Sequence, residues 1–249
     1  MKRIYLAAGL SGLLLFLVAY IPAPLLYHWS RDGMDPQIQV FGVRGNLWQG
    51  QVASLNLSGI HLQTVRWQLR PLSLLLLRIS HHVTAQTEGG ELDAVISRTL
   101  FGTLRVGALK GSLPIEQLGP SLQLPILPVS GRMQLDLAHL KLSNGRPVQA
   151  EGVVMFESLV FSFTSPPAAL GNFRGELSTA DKVIKLAIAG ETGEVEATGF
   201  AEIKPEGQYV LDLKLRPRAS ASAAASGLLQ SLGRPDAEGW YLLRRNGVF

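Results

Sequence analysis

Cysteine is absent from the 249 residues, which excludes disulfides, thiolate zinc sites and cysteine nucleophiles. Charge is sparse as well: Asp, Glu, Lys and Arg make up 17% of the chain. The 23 Lys and Arg residues are scattered, never forming a dense block, and the formal net charge is only +4. That pattern argues against a nucleic-acid partner. Histidine is rare, and its placement is unhelpful for chemistry. His81 and His82 are adjacent in a strand-like run and so face opposite ways, and Asp136 and His139 would do the same unless a bulge realigned them. No serine lies in a Gly-x-Ser-x-Gly elbow, and the glycines at Gly42, Gly45 and Gly50 lack the Lys-Ser or Lys-Thr of a phosphate loop. No catalytic residue, metal or cofactor is predicted, and the reading is that of a non-enzyme.

Hydrophobic residues, by contrast, reach 47%, which excludes disorder and calls for something to cover them. The longest uncharged run, Ile4 to Ile21, follows Lys2 and Arg3. At 1.5 Å per residue it is about 27 Å long, and extension to Tyr27 matches the roughly 30 Å core of a bilayer. Tyr20, Tyr27 and Trp29 stand near its far end, as an interfacial aromatic belt would. Pro22 and Pro24, with bulky neighbours, occupy the place where signal cleavage needs small residues. The expectation is an uncleaved span at 4–27, a cytoplasmic tail at 1–3, and a β-rich domain at 28–249 on the far side of a bacterial inner membrane, in the periplasm.

Beyond the anchor, period-two patterning dominates. Tyr209, Leu211, Leu213 and Leu215 alternate with Val210, Asp212, Lys214 and Arg216, the signature of a half-buried strand. Met133, Leu135 and Leu137 alternate likewise, and the apolar phase then slips to Leu140 and Leu142. A bulge near Ala138 or His139 would restore the facing. A second slip separates Ile60 and Leu62 from Val65, Trp67 and Leu69. Further strands are expected at 47–57, 79–87, 91–97, 104–109, 148–163, 173–178, 183–189 and 195–203. Separators such as Gly89-Gly90, Asn144-Gly145 and Pro205-Glu206-Gly207 are short, so neighbours should pair as antiparallel hairpins.

Helix is expected at 71–77, 114–118 and 219–232, and the prolines from Pro114 to Pro128 mark the best candidate seam. The predicted fold class is therefore mainly β: one transmembrane helix, then a long curved antiparallel sheet, as an open trough or a sandwich, with one or two short helices. Trp48 and Trp67 have large apolar area and an N–H that needs a partner, so each anchors either the core or a docking surface.

Gly45-Asn46-Leu47-Trp48-Gln49-Gly50, followed by Val65-Arg66-Trp67-Gln68-Leu69-Arg70-Pro71-Leu72 and a late Tyr209 to Pro217 strand, resembles the type II secretion system protein N family. Candidate interaction or core anchors are thus Trp48, Trp67, Gly45, Gly50 and Pro71. The resemblance implies an accessory inner-membrane component of the machine that exports folded proteins across the outer membrane, with other secretion proteins as partners. A rival reading comes from the apolar sheet face, which resembles the lipid grooves of AsmA-like envelope proteins and would take acyl chains.

Overall fold

The computed structural model describes residues 20–30, 38–57, 60–71, 73, 78–99, 104–119, 128–143 and 146–248. Its strands are β1 (Ile38–Phe41), β2 (Arg44–Gly45), β3 (Gln49–Leu57), β4 (Ile60–Leu69), β5 (Arg78–Thr87), β6 (Gly90–Thr99), β7 (Leu104–Pro114), β8 (Val129–Ser143), β9 (Arg146–Phe161), β10 (Ala168–Ala180), β11 (Val183–Thr192), β12 (Val195–Ile203), β13 (Gln208–Pro217) and β14 (Tyr241–Val248). All belong to one 14-stranded sheet in which every strand from β3 onward pairs with the next in sequence, while β1 and β2 both join β3. Each pairing is antiparallel, as short hairpin connections require. The described strands form a single sheet, so the sandwich alternative falls. The expected seam does not divide it either: β7 and β8 pair from Leu104↔Leu142 to Pro114↔Arg132.

Two short helices accompany the sheet. α1 (Ala23–Ser30) touches β2, and α2 (Ala223–Gln230) packs on β10 and β13. Among the described residues no helix is long and apolar enough to cross a membrane. The run expected to do so lies outside the described residues up to position 19, as do most of the 71–77 helix and the Asn144-Gly145 turn. The 114–118 segment is a single 3-10 turn, Ile115–Leu118. The helix expected over 219–232 is trimmed to α2, because Ser222 caps it: its Oγ accepts from the Ala225 N–H at 3.2 Å.

Both phase slips are resolved by irregularities at the expected places. Ala138 is extra relative to β9, with Leu137↔Gly152 followed by His139↔Glu151. Thr64, at φ +49°, takes up the slip between Leu62 and Val65. Gly152 is required by the backbone: its φ is +149° and a Cβ would stand 2.4 Å from the Asp136 carbonyl oxygen.

Register then sorts the chain into two faces. Along one, Ala85, Leu92, Gly111, Leu135, Val154, Gly175, Ile188, Gly199, Leu213 and Leu243 form an unbroken row across ten strands, β5 to β14. On the other, the row Asp93, Lys110, Asp136, Val153, Glu176 is mostly charged. Two core clusters sit on the apolar face. One gathers Phe173, Val195, Ala197 and Tyr241 beneath Ala225 and Leu229 of α2. The other packs Val52, Leu62, Val65 and Ala85 with Trp67. The 3-10 turn touches β4, β7 and β8. Strands three apart in a flat sheet would be about 14 Å apart, so the sheet curls at this end.

Candidate functional site

The motif that begins at Gly45 folds into a tight edge structure. The Asn46 Oδ1 accepts from the backbone N–H groups of Trp48 and Gln49, each at 3.0 Å, an Asx turn that reverses β2 into β3. The strand expected from Leu47 accordingly starts two residues later, at Gln49. Gly45 pairs with Gly50, and Gly50 with Trp67 on β4. The Trp67 indole N–H donates to the Asn46 carbonyl at 3.1 Å, satisfying the polar atom of a ring whose body joins the core.

The Leu47-Trp48 loop is tied down from behind. The Leu69 N–H donates to the Trp48 carbonyl at 2.6 Å, and His81 Nε2 meets the Leu47 carbonyl at 3.1 Å. Pro22, ahead of α1, bridges to Asn46. The structure therefore brings Gly45, Gly50 and Trp67 together with Trp48 in the adjoining loop. Pro71 stands apart from them, exposed two residues past the end of β4. The Trp48 indole N–H is buried and meets no acceptor among the described residues.

The histidines do more than composition suggests. His81 and His82 face opposite sides, as adjacency requires, yet each has a partner: His82 bonds Asp93 on β6. The bulge at Ala138 does realign Asp136 and His139 onto one face, but they do not join. Asp136 instead receives Lys110 at 3.1 Å. Among the described residues there is no group of three His, Asp or Glu side chains able to hold a metal ion.

Sequence reasoning missed two features near the last hairpins. Glu194 accepts from Ser222 twice, from its Oγ at 2.6 Å and from its N–H at 2.9 Å. These bonds, the hydroxyl's first, hold the Glu194 carboxyl below its ordinary pKa. Arg216 pairs with Glu196 at 2.7 Å while its guanidinium lies 4.4 Å from the Trp240 ring centre. The Ser before an Ala-rich run was a readable cap signal. The reach to Glu194 was not, since the two lie 28 positions apart.

Two hollows open on the polar face. One, about 990 Å3, is lined by β4 to β9 near Arg70 and Arg105. The other, about 570 Å3, starts at Gly45 and Asn46 and shares Gln68 and His82 with the first.

Fold and site together define a single-sheet protein whose candidate working parts are broad faces and a tied-down edge motif. The chain belongs to the type II secretion system protein N family, whose sequence profile matches residues 36–244. It is 25% identical to the type II secretion system protein N of Vibrio cholerae serotype O1 over 238 residues, 92% of each chain. It is 27% identical to that of Aeromonas hydrophila over 99% of this chain and 98% of the relative, and 25% identical to that of Klebsiella pneumoniae over 96% and 93%. No solved structure matches the chain significantly.

Proposed function

We propose that this protein is a non-enzymatic accessory component of the type II secretion machine, assisting the assembly or stability of the apparatus that exports folded proteins across the outer membrane. One observation carries the reading: the family profile runs from ahead of β1 to within β14, across the whole meander. The stretch that matches the family is thus this chain's complete sheet.

In this reading the apolar run that starts at Ile4 spans the inner membrane once and ends by Ile21, since Pro22 bridges to Asn46 and α1 touches β2, and the chain beyond lies in the periplasm. Tyr20 and Trp29, 67% and 65% exposed, supply rings suited to the membrane interface. The sheet docks other secretion proteins close to the membrane surface. Deleting the gene and assaying secreted enzymes tests the proposal. Enzymes retained in the periplasm, with export restored by the wild-type gene, support it; unchanged export contradicts it. Reporter fusions after Arg3 and after Trp29 test the topology, and a cytoplasmic signal from the second would overturn it.

A second reading is favoured by the apolar row from Ala85 to Leu243. Its middle lies between the patch covered by α2 and the core at β3 to β5, as a groove for acyl chains would. Native mass spectrometry separates the readings: stoichiometric phospholipid retained after detergent removal supports lipid handling, and its absence counts against it.

A further inference from the structure

Within one strand pair, β7 and β8, the polar face carries two opposite solutions. Lys110 stands across from Asp136 and closes an ion pair at 3.1 Å. Further along, Arg105 stands across from Lys141. Like charges placed directly opposite on neighbouring strands are destabilising, so stability of the sheet does not account for this pair.

The neighbours do not relieve it. Arg105 is flanked on its other side by Ser97, Ser97 by Ser80, and Lys141 by Gln149. Arg70 closes the row, its N–H donating to the Ser80 carbonyl at 2.8 Å. The row therefore reads Arg, Ser, Ser, Arg, Lys: cations around a floor of small hydroxyl residues. Arg78, two residues before Ser80, adds a fourth cation.

This row lines the cavity of about 990 Å3, and no carboxylate is among the described residues that line it. Arg70, Arg78, Arg105 and Lys141 make no ion pair with a described residue. Among the described residues, Asp93 on β6 bonds His82, and Glu151 on β9 accepts from Gln149 at 3.1 Å. The arrangement has room, four cations without an ion pair to a described residue and three planar guanidinium forks, the chemistry that recognises phosphate.

We propose that this cavity binds a phosphate-bearing anion, either a phospholipid headgroup or a soluble phosphate compound. The headgroup source rests on the membrane-anchored reading above, and the phosphate site itself does not. The neighbouring hollow leads from the cavity to Asn46, which Pro22 bridges just ahead of α1, so the site lies on the chain's N-terminal side.

The test is calorimetric titration of the purified full chain with inorganic pyrophosphate, with monomeric dihexanoyl-phosphatidylglycerol and with dihexanoyl-phosphatidylcholine. Wild type is compared with R105Q/K141Q and with the equally charge-reduced control K182Q/R234Q, circular dichroism confirming the fold. The single variants R105Q and K141Q replace the double if it does not fold. The expected result is saturable binding of an anion, weakened about tenfold in the cavity variant and unchanged in the control. Pyrophosphate binding identifies a soluble-phosphate site. Phosphatidylglycerol binding without pyrophosphate or phosphatidylcholine binding identifies the headgroup. Binding of neither anion, or equal weakening in both variants, overturns the proposal.

Discussion

Trp67 lies across Gly50 so closely that a Cβ at position 50 would stand 2.2 Å from its indole Cζ2 and 2.5 Å from the Arg44 carbonyl oxygen. The glycine is what lets the ring cross β3 and reach the Asn46 carbonyl, fixing the edge motif to the core. Gly50→Ala therefore forces the ring or β2 aside and should destabilise the fold by about 1–3 kcal/mol, as overpacking does. Chemical denaturation of both proteins reads this directly.

Trp67→Phe keeps most of the apolar body and removes the N–H that donates to Asn46. The expected loss is about 1 kcal/mol, the usual net worth of one hydrogen bond. A melting curve that does not move would show that the bond contributes nothing to the anchoring of the edge.

Leu229, 1% exposed, is sealed by α2 against Val195, which is 2% exposed. Leu229→Ala leaves a cavity in the better-covered of the two clusters and should cost about 2–5 kcal/mol. Its effect should be several times that of Leu232→Ala, whose side chain is 36% exposed. Equal losses would contradict the assignment of α2 as the lid of this cluster.

Glu194 is expected to make stability depend on acid. Its folded-state pKa is held below the ordinary value by the Ser222 hydroxyl and then the Ser222 N–H. The bonds therefore contribute fully above the ordinary glutamate pKa of about 4.3 and are lost as pH falls through the lower, folded value. Thermal melts of wild type and Glu194→Gln should differ at pH 7 and converge under strong acid. Ser222→Ala, which removes the helix cap as well, should cost about 1 kcal/mol at neutral pH. A gap between wild type and Glu194→Gln that widens on acidification would refute the sign.

The alternation in the sequence located most strands, because a half-buried sheet must keep its apolar residues on one face. The same constraint exposed the slips at Leu62 to Val65 and Leu137 to Leu140, which a register change would otherwise turn outward. β1 and β2 escaped notice: at four and two residues they are too short to show a period. β7 runs on to Pro114 instead of stopping at Leu109, since Gly111 carries φ +144° and continues the ladder. Gly50 and Trp67 were readable as motif residues, but their direct contact was not. The Arg105–Lys141 pair was invisible for a different reason: it exists only through a register linking positions 36 residues apart.

The central claim, that this sheet works by binding other parts of the secretion machine, is tested most directly by affinity purification of the tagged full chain from gently solubilised membranes of cells actively secreting. Secretion-system proteins should co-purify at stoichiometric levels with wild type and fall away with Gly50→Ala, which disturbs the edge motif. Recovery of the chain without any secretion protein, under conditions that keep the rest of the machine assembled, would contradict the account.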